Sequence, residues 1–446
     1  MNKMNFAKSA RLAGKALLVS RACAVLLLVF GVLTNARAII EIEVTKGGFN
    51  AIPIAVVPFG WTGNGTLPQD VAEIISSDLA RSGLMIPMAR DELVSRPVSG
   101  DVPNYAQWRL AGVDYLVIGG IEQRGSNYSV DFQLFDPVRQ KLLSGYSYTV
   151  SGERLRGVSH QIADVIFEDI TGIRGAFNTE IAFVSVTDSG GKREYQMQLA
   201  DADGLNSQAM LTSPRPILSP SWSPNGNRLA YVSFEDRERS AIYIQDRSTG
   251  KRTKIISESG INGAPSWSPD GNQLAVVLSY EGNPDIYIIE LATRSARRIT
   301  RSEAIDTEPE WLDSGTLIFT SDRSGGPQLY RIPVSGGQAK RLTFEGRYNA
   351  SASVAPDGNS VAMVHRASDG YKIGLLRLDS GDFSVLSSGR FDESPSFSPN
   401  GQMVLFATSR NGRQTLGAVS VDGQVEQSLT LEKSNVREPS WSPFSN

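Results

Sequence analysis

Short apolar runs, each closed off by Ser, Gly, Pro, Asn or Asp, recur along the C-terminal part of the chain. Residues 229–233 (Leu-Ala-Tyr-Val-Ser), 274–278, 317–321, 361–364 and 404–408 form one such series. Ahead of each stands a copy of one motif: Pro-Ser-Trp-Ser-Pro-Asn-Gly at 220–226, Pro-Ser-Trp-Ser-Pro-Asp-Gly at 265–271, and variants at 309–315, 353–358 and 395–401. A last copy, Pro-Ser-Trp-Ser-Pro, stands at 439–443. The central position falls at Trp222, Trp267, Trp311, Val354, Phe397 and Trp441, in steps of 45, 44, 43, 43 and 44 residues. Pro pre-sets φ, Asn or Asp caps locally and Gly accepts positive φ, so the motif predicts a tight turn into the apolar run, a hairpin. A third run follows (242–244, 286–289, 329–330, 373–375) and then a fourth, as at 298–300 and 341–343. Four short strands per repeat of this length describe a propeller blade, whereas helical repeats would need amphipathic stretches and far less Gly, Pro and Thr.

An open solenoid is the competing arrangement, and the offset between two series of six decides between them. The second-strand pattern begins at Ile181-Ala-Phe-Val-Ser185, with no Pro-Ser-Trp strand before it, while the last Pro-Ser-Trp copy has nothing after it but three residues. A closed ring in which the C-terminal strand completes the first blade accounts for both, and it removes the sheet edges an open array would expose. Residues 176–446 are therefore expected to form an all-β six-bladed β-propeller closed by the C-terminal strand.

Upstream the pattern changes. Residues 52–57 read as a strand, 67–81 as a helix with Val71, Ile74, Ile75 and Leu79 on one face, and 115–119 as a buried strand. Residues 128–135 alternate, 142–150 form another strand, and 155–170 have helical spacing. Residues 51–175 thus predict an N-terminal α/β domain. Before it, five basic residues precede an apolar run from Ala22 to Leu33 and an Ala-Arg-Ala site, so residues 1–38 read as a signal peptide cleaved after Ala38. About twelve apolar residues fall well short of the ~20 a spanning helix needs. The segment 39–50 that follows, with Ile39, Ile40, Glu41, Ile42, Glu43 and Val44 and then two glycines, describes a strand on a flexible tether. It can pair within its own domain or add itself to the edge of a partner's sheet.

Charge and chemistry narrow the function. The 446-residue chain carries a formal charge of −3; residues 1–38 hold six basic and no acidic residues, so the mature chain stands at −9. That argues against nucleic acid or an anionic membrane surface as the main partner. Cys23, the only cysteine, leaves with the signal peptide, so no disulfide, thiolate metal site or Cys nucleophile is expected. His160 and His365, the only histidines, are too few for a zinc or copper centre and read as a helix-face and a strand-end residue. No G-x-S-x-G, H-E-x-x-H or Walker motif is present, and in the loop 60–68 Pro68 stands where a dinucleotide fingerprint needs its third glycine. Neither enzyme activity nor a cofactor is expected. Acidic residues do gather just ahead of the motif strands: Asp306, Glu308, Asp392, Glu393 and Glu438. If those strands are innermost, the acids converge on one mouth of the central channel, as a paired-carboxylate glycosidase-like site or as the solvated rim of a protein-docking face.

Signal peptide, α/β domain, the bridging stretch Thr171-Gly-Ile-Arg-Gly-Ala-Phe177, and six blades ending on Pro-Ser-Trp-Ser-Pro resemble the TolB family, periplasmic propellers of the Tol-Pal system of Gram-negative bacteria. Residues 54–59 (Ile-Ala-Val-Val-Pro-Phe), 262–265 (Asn-Gly-Ala-Pro) and 307–309 (Thr-Glu-Pro) carry the more specific likeness. The resemblance implies a periplasmic monomer whose propeller mouth binds the peptidoglycan-associated lipoprotein Pal, with Ala264, Thr307 and Glu308 in the interface. It also implies that the N-terminal segment binds the periplasmic domain of TolA, and that the complex supports outer-membrane integrity and constriction during division. A stand-alone sugar-binding propeller and a propeller hydrolase are the alternatives; the second would continue past the propeller into a domain carrying Ser, Asp and His.

Overall fold

A computed structural model describes residues 51–236, 239–410, 412–429, 431 and 435–444. The expected signal peptide and the segment 39–50, with Ile39 to Val44, lie outside these residues.

The first domain is built on one six-stranded mixed sheet. β1 (Ile52–Val56) lies between β3 (Met85–Pro87) and β4 (Tyr115–Arg124), parallel to both; β2 (Gly60–Thr62) also runs parallel to β4, and β5 (Asn127–Asp136) and β6 (Lys141–Ser151) continue antiparallel. Helices α1 (Val71–Arg81) and α3 (Leu155–Thr171) cover one face, packing Ile75, Leu79, Ile162 and Ile166 onto Ile54, Val117, Val130 and Phe132. The short α2 (Tyr105–Leu110) covers part of the other face through Trp108, which sits against Ala55, Val57 and Leu116. The expected helix 67–81 begins only at Val71, because the Asp70 carboxylate accepts the backbone N–H of Glu73 (3.1 Å) and caps the helix there. β2, β3 and α2 were not expected: three-residue strands and a six-residue helix are too short to show a period.

The remainder is the propeller. Six four-stranded antiparallel sheets follow one another, and blade 1 combines Glu180–Ser189, Lys192–Asp201 and Gln208–Ser213 with the last strand, Asn435–Trp441. Val436 pairs with Ser185 and Trp441 with Ile181, so the C-terminal strand closes the ring as the offset predicted. Blades 2 to 6 occupy residues 217–256, 262–298, 306–341, 349–385 and 393–429, each with its motif strand innermost. The turn glycines Gly226, Gly271, Gly358 and Gly401 all hold φ of 70–71°, and each donates its N–H to the carbonyl three residues back.

The motif tryptophans bind blade to blade. Trp222, Trp267 and Trp311 are buried and Trp441 partly so, and each indole N–H needs an acceptor. Trp222 of blade 2 donates to the Ser440 carbonyl of blade 1 (3.0 Å), Trp267 of blade 3 to Ser221 of blade 2 (3.1 Å), and Trp311 of blade 4 to Ser266 of blade 3 (3.1 Å). Trp441 donates to Thr179 Oγ1 (2.8 Å), where the chain enters blade 1.

Motif strands run away from the mouth, so their Ser-Pro-Asn/Asp-Gly turns lie on the opposite face, and the α/β domain rests there. Asn400, in the first turn of blade 6, donates to the Arg174 carbonyl (2.9 Å). The bridge from α3 is itself fixed. Gly172 ends the helix in the left-handed region (φ 74°), and Gly175 runs so close to Asp164 that a Cβ there would lie 2.4 Å from its Cα. The Asp164 carboxylate in turn accepts the N–H groups of Phe177 (2.7 Å) and Asn178 (3.2 Å).

Candidate functional site

Every innermost strand carries the same backbone irregularity. At Ser219, Ala264, Glu308, Ser351, Ser394 and Glu438 the chain turns left-handed, with φ between 46° and 54°. Each of the six lies inside a register shift of the ladder, between residues 218 and 221, 263 and 266, 307 and 310, 350 and 353, 393 and 396, and 437 and 440. A side chain in this region is strained by roughly 1–2 kcal/mol. Such bulges re-aim side chains and occur at barrel rims. In five of the six the next residue is Pro, which has no N–H to lose from the ladder.

The bulges line a central cavity of about 670 Å³ in two tiers. The outer tier is the six left-handed residues. The inner tier, two positions on, is Ser221, Ser266, Glu310, Ser353, Ser396 and Ser440: five serines and one acid. Glu310 was not among the expected site residues, although the repeat shows it where Pro-Ser-Trp becomes Pro-Glu-Trp. Its carboxylate accepts one hydroxyl, Ser266 Oγ at 2.8 Å, and burial pushes its pKa up to about 7. Native Glu310 therefore keeps its proton to higher pH than the unfolded chain does. Stability from this group is fully present below about 4.5 and is lost as pH rises toward 7. Glu310→Gln is expected to remove that slope, at most ~1.4 kcal/mol per pH unit, from urea-unfolding curves taken between pH 4.5 and 7; parallel wild-type and variant curves would refute it.

The other acids have separate tasks. Glu308 bridges blades: Oε2 accepts Thr320 Oγ1 (2.8 Å) of its own blade and the Ser351 N–H (2.8 Å) of the next, while Oε1 accepts Ser351 Oγ (2.7 Å). Glu438 does the same across the closure, accepting the Ser219 N–H, and burial holds its pKa above the usual range. Glu393 is exposed beside the cavity, with Arg437 on the neighbouring strand. Ala264 belongs to the outer tier, and Thr307 is half-buried immediately before Glu308. Asp306 and Asp392 are placed differently: both are fully buried. Asp306 accepts Arg323 Nη2 on both oxygens (2.8 Å), and Asp392 accepts Ser387 Oγ (2.5 Å) and Thr408 Oγ1 (2.6 Å). They brace the loops of the mouth from beneath.

Large apolar side chains are exposed on loops between the blades. Ile261 and Ile305 (each 49% exposed), Phe344 (73%) and Phe391 (64%) stand in the loops leading into blades 3, 4, 5 and 6, and Tyr280 at the mouth end of the blade 3 hairpin. Only Phe391 among them lines the central cavity itself. Neither histidine lines the cavity: His160 is buried against Asp78, and His365 Nδ1 lies 2.9 Å from Asn349 Oδ1. The loop 60–68 folds on itself, Trp61 donating to the Gly65 carbonyl (3.0 Å).

A family model described as the TolB beta propeller domain matches residues 167–445, and one described as the TolB amino-terminal domain matches residues 40–143. The Tol-Pal system protein TolB of Thioalkalivibrio sulfidiphilus (strain HL-EbGR7) is 50% identical over 424 residues, 94% of this chain and 97% of its own length. That of Xanthomonas campestris pv. campestris (strain B100) is 44% identical over 410 residues, 91% and 93%. Among solved structures, the crystal structure of TolB from Acinetobacter baumannii superposes with a TM-score of 0.84 at 40% identity, covering 91% of this chain and all of that one. Both domains matched in order, and identity of this level over nearly the whole length, mean that this chain belongs to the TolB family of the Tol-Pal system.

Proposed function

We propose that this chain is a non-enzymatic periplasmic docking protein, exported by a signal peptide cleaved after Ala38. Its propeller mouth binds the lipoprotein Pal through Ala264, Thr307, Glu308, Glu393 and Glu438, and its segment 39–50 binds the periplasmic domain of TolA. The observation that carries the reading is the mouth itself: six strained bulges present a rigid rim, bridged by Glu308 and Glu438, with Ile261, Ile305 and Phe391 exposed on the loops leading into blades 3, 4 and 6. A rigid rim of buried anchors and adjacent apolar groups suits a protein partner. Asp306 and Asp392 serve it by holding the mouth loops. Ala51, the first described residue, lines an apolar cavity of about 540 Å³ shared by the two domains, on the face away from the mouth. Ala51 therefore sits in a groove that any domain movement would reshape, which favours coupling between the two partners. Supporting outer-membrane integrity and constriction at division is the role this docking would serve.

The test is calorimetry with purified Pal and the TolA periplasmic domain, using a chain of residues 39–446 and one of residues 51–446. The longer chain is expected to bind both partners, the shorter one Pal alone, and saturating Pal is expected to change TolA affinity. A mature chain that recovers no lipoprotein overturns the reading, and equal TolA affinities remove the coupling.

A further inference from the structure

Six ionisable side chains meet where the α/β domain rests on blade 1. α1 supplies Asp78 and Arg81, α3 supplies Arg156 and His160, and the end of the strand Lys192–Asp201 and its turn supply Asp201 and Asp203. Arg81 Nε lies 2.9 Å from Asp78 Oδ1, Arg156 pairs with both Asp201 (2.6 Å) and Asp203, and His160 Nδ1 lies 2.6 Å from Asp78 Oδ2. His160 Nε2 is 3.8 Å from Asp201 Oδ2, too far for a hydrogen bond, so that attraction is coulombic. The side chains of Asp78 and His160 are 1% and 2% exposed, and none of the six exceeds 22%. Neighbouring backbone joins in: Arg81 donates to the Ala202 carbonyl (3.3 Å), and the Arg81 carbonyl accepts Gln427 of blade 6.

The charges decide what this cluster is. Three carboxylates face two guanidinium groups, and the set is neutral only if His160 is an imidazolium. Burial pulls the His160 pKa down, but Asp78, Asp201 and Asp203 outweigh it and raise the pKa to about 9. Asp203 is likewise held below its ordinary value, because Arg81, His160 and Arg156 overcome its burial. Asp164, the other acid on this side of α3, has its carboxylate on the Phe177 and Asn178 amides. Asp78, His160 and Asp203 do bring ligand atoms within 4.8 Å of one another, a spacing that suits a metal ion. Two guanidinium groups already satisfy these acids, however, and a divalent ion would add an uncompensated charge and have to displace the imidazole proton.

We propose that these six side chains form a charge-neutral latch, completed by the His160 imidazolium, that fixes the α/β domain to blade 1 and holds the two domains in one orientation. Blade 1 is the blade closed by the C-terminal strand. The latch thus lies two ladders away from Arg437 and Glu438, across Asn435–Trp441, Glu180–Ser189 and Lys192–Asp201. Breaking one member leaves an unpaired buried charge, whereas removing one charge of each sign restores neutrality.

Two measurements on the mature chain test this. With only two histidines, the ring nitrogens resolve by NMR: His160 is expected to carry both N–H protons at pH 7, and a neutral His160 overturns the latch. In calorimetry, His160→Asn is expected to lower Tm by about 5–10 °C and to split the α/β domain from the propeller as an earlier transition. The double variant His160→Asn/Asp203→Asn is expected to recover much of that loss. An undisturbed single transition in His160→Asn, a double variant whose losses add, or a rise in wild-type Tm on adding Zn²⁺ would each overturn the proposal.

Discussion

Glu308→Ala is expected to weaken binding of the lipoprotein by roughly thirtyfold or more, the scale of a loss of about 2 kcal/mol at an interface hot spot. The side chain is a joint before it is a contact. It gathers Thr320 Oγ1, Ser351 N–H and Ser351 Oγ, and so sets the spacing of blades 4 and 5 at the rim. Ser351 is itself left-handed, with φ 54°, and its N–H is held by the Glu308 carboxylate, with Thr320 Oγ1 3.1 Å away. Alanine leaves those donors poorly satisfied, a penalty of about 1–3 kcal/mol each where water cannot reach them. The rim of the variant then loosens and loses its charge together. Glu308→Gln separates the two effects: it retains an acceptor for Ser351 and drops only the charge. Calorimetric titration of both variants, with thermal melts to confirm folding, reads the result. Wild-type affinity in a folded Glu308→Ala chain would mean that the partner docks away from the mouth.

How much of this mouth the sequence discloses depends on the range of the interaction. The blades were legible because each strand, turn and glycine is specified within a few residues, and closure was legible because two six-member series were out of step. Side-chain direction was not. Asp306 and Asp392 read as rim acids like Glu308 and Glu393, yet they stand two positions before the left-handed residue and are fully buried. A signal was present at the equivalent places in the other blades, where Ile217, Asn262, Asn349 and Val436 stand: a position that accepts Ile and Val faces inward. The bulge was hidden for a different reason. Left-handed φ at Ala264 or Glu308 goes with a register shift between paired strands, and neither residue favours it locally. The domain latch lay further out of reach, since Asp78, His160 and Asp203 come from three separate elements and His160 reads simply as a residue on a helix.

Ending the chain at residue 431 is expected to abolish cooperative folding. Without Asn435–Trp441, blade 1 keeps three strands, and Glu180–Ser189 loses its inner ladder. Further links go with it. Trp222 loses the Ser440 carbonyl, Ser396 Oγ loses the Trp441 N–H (2.8 Å), and the exchange of Glu180 N–H to Ser442 Oγ (3.0 Å) and Ser442 N–H to the Glu180 carbonyl (2.8 Å) is gone. Val436, 1% exposed, and Trp441 also leave a core shared with Phe183, Leu405 and Leu416 of blades 1 and 6. Truncating one large core aromatic such as Trp441 to alanine costs about 3–5 kcal/mol, against about 5–15 kcal/mol for the net stability of a typical domain. Trp441→Ala is thus expected to lower the melting temperature sharply while keeping one transition. Loss of the whole strand exceeds what the remaining ring can absorb, because the three-stranded remnant of blade 1 then presents an unpaired inner edge to the channel. Circular dichroism melts distinguish the cases, and a truncated chain melting as sharply as the full one would mean that five blades and a partial sixth hold together by neighbour contacts alone, as an open solenoid does.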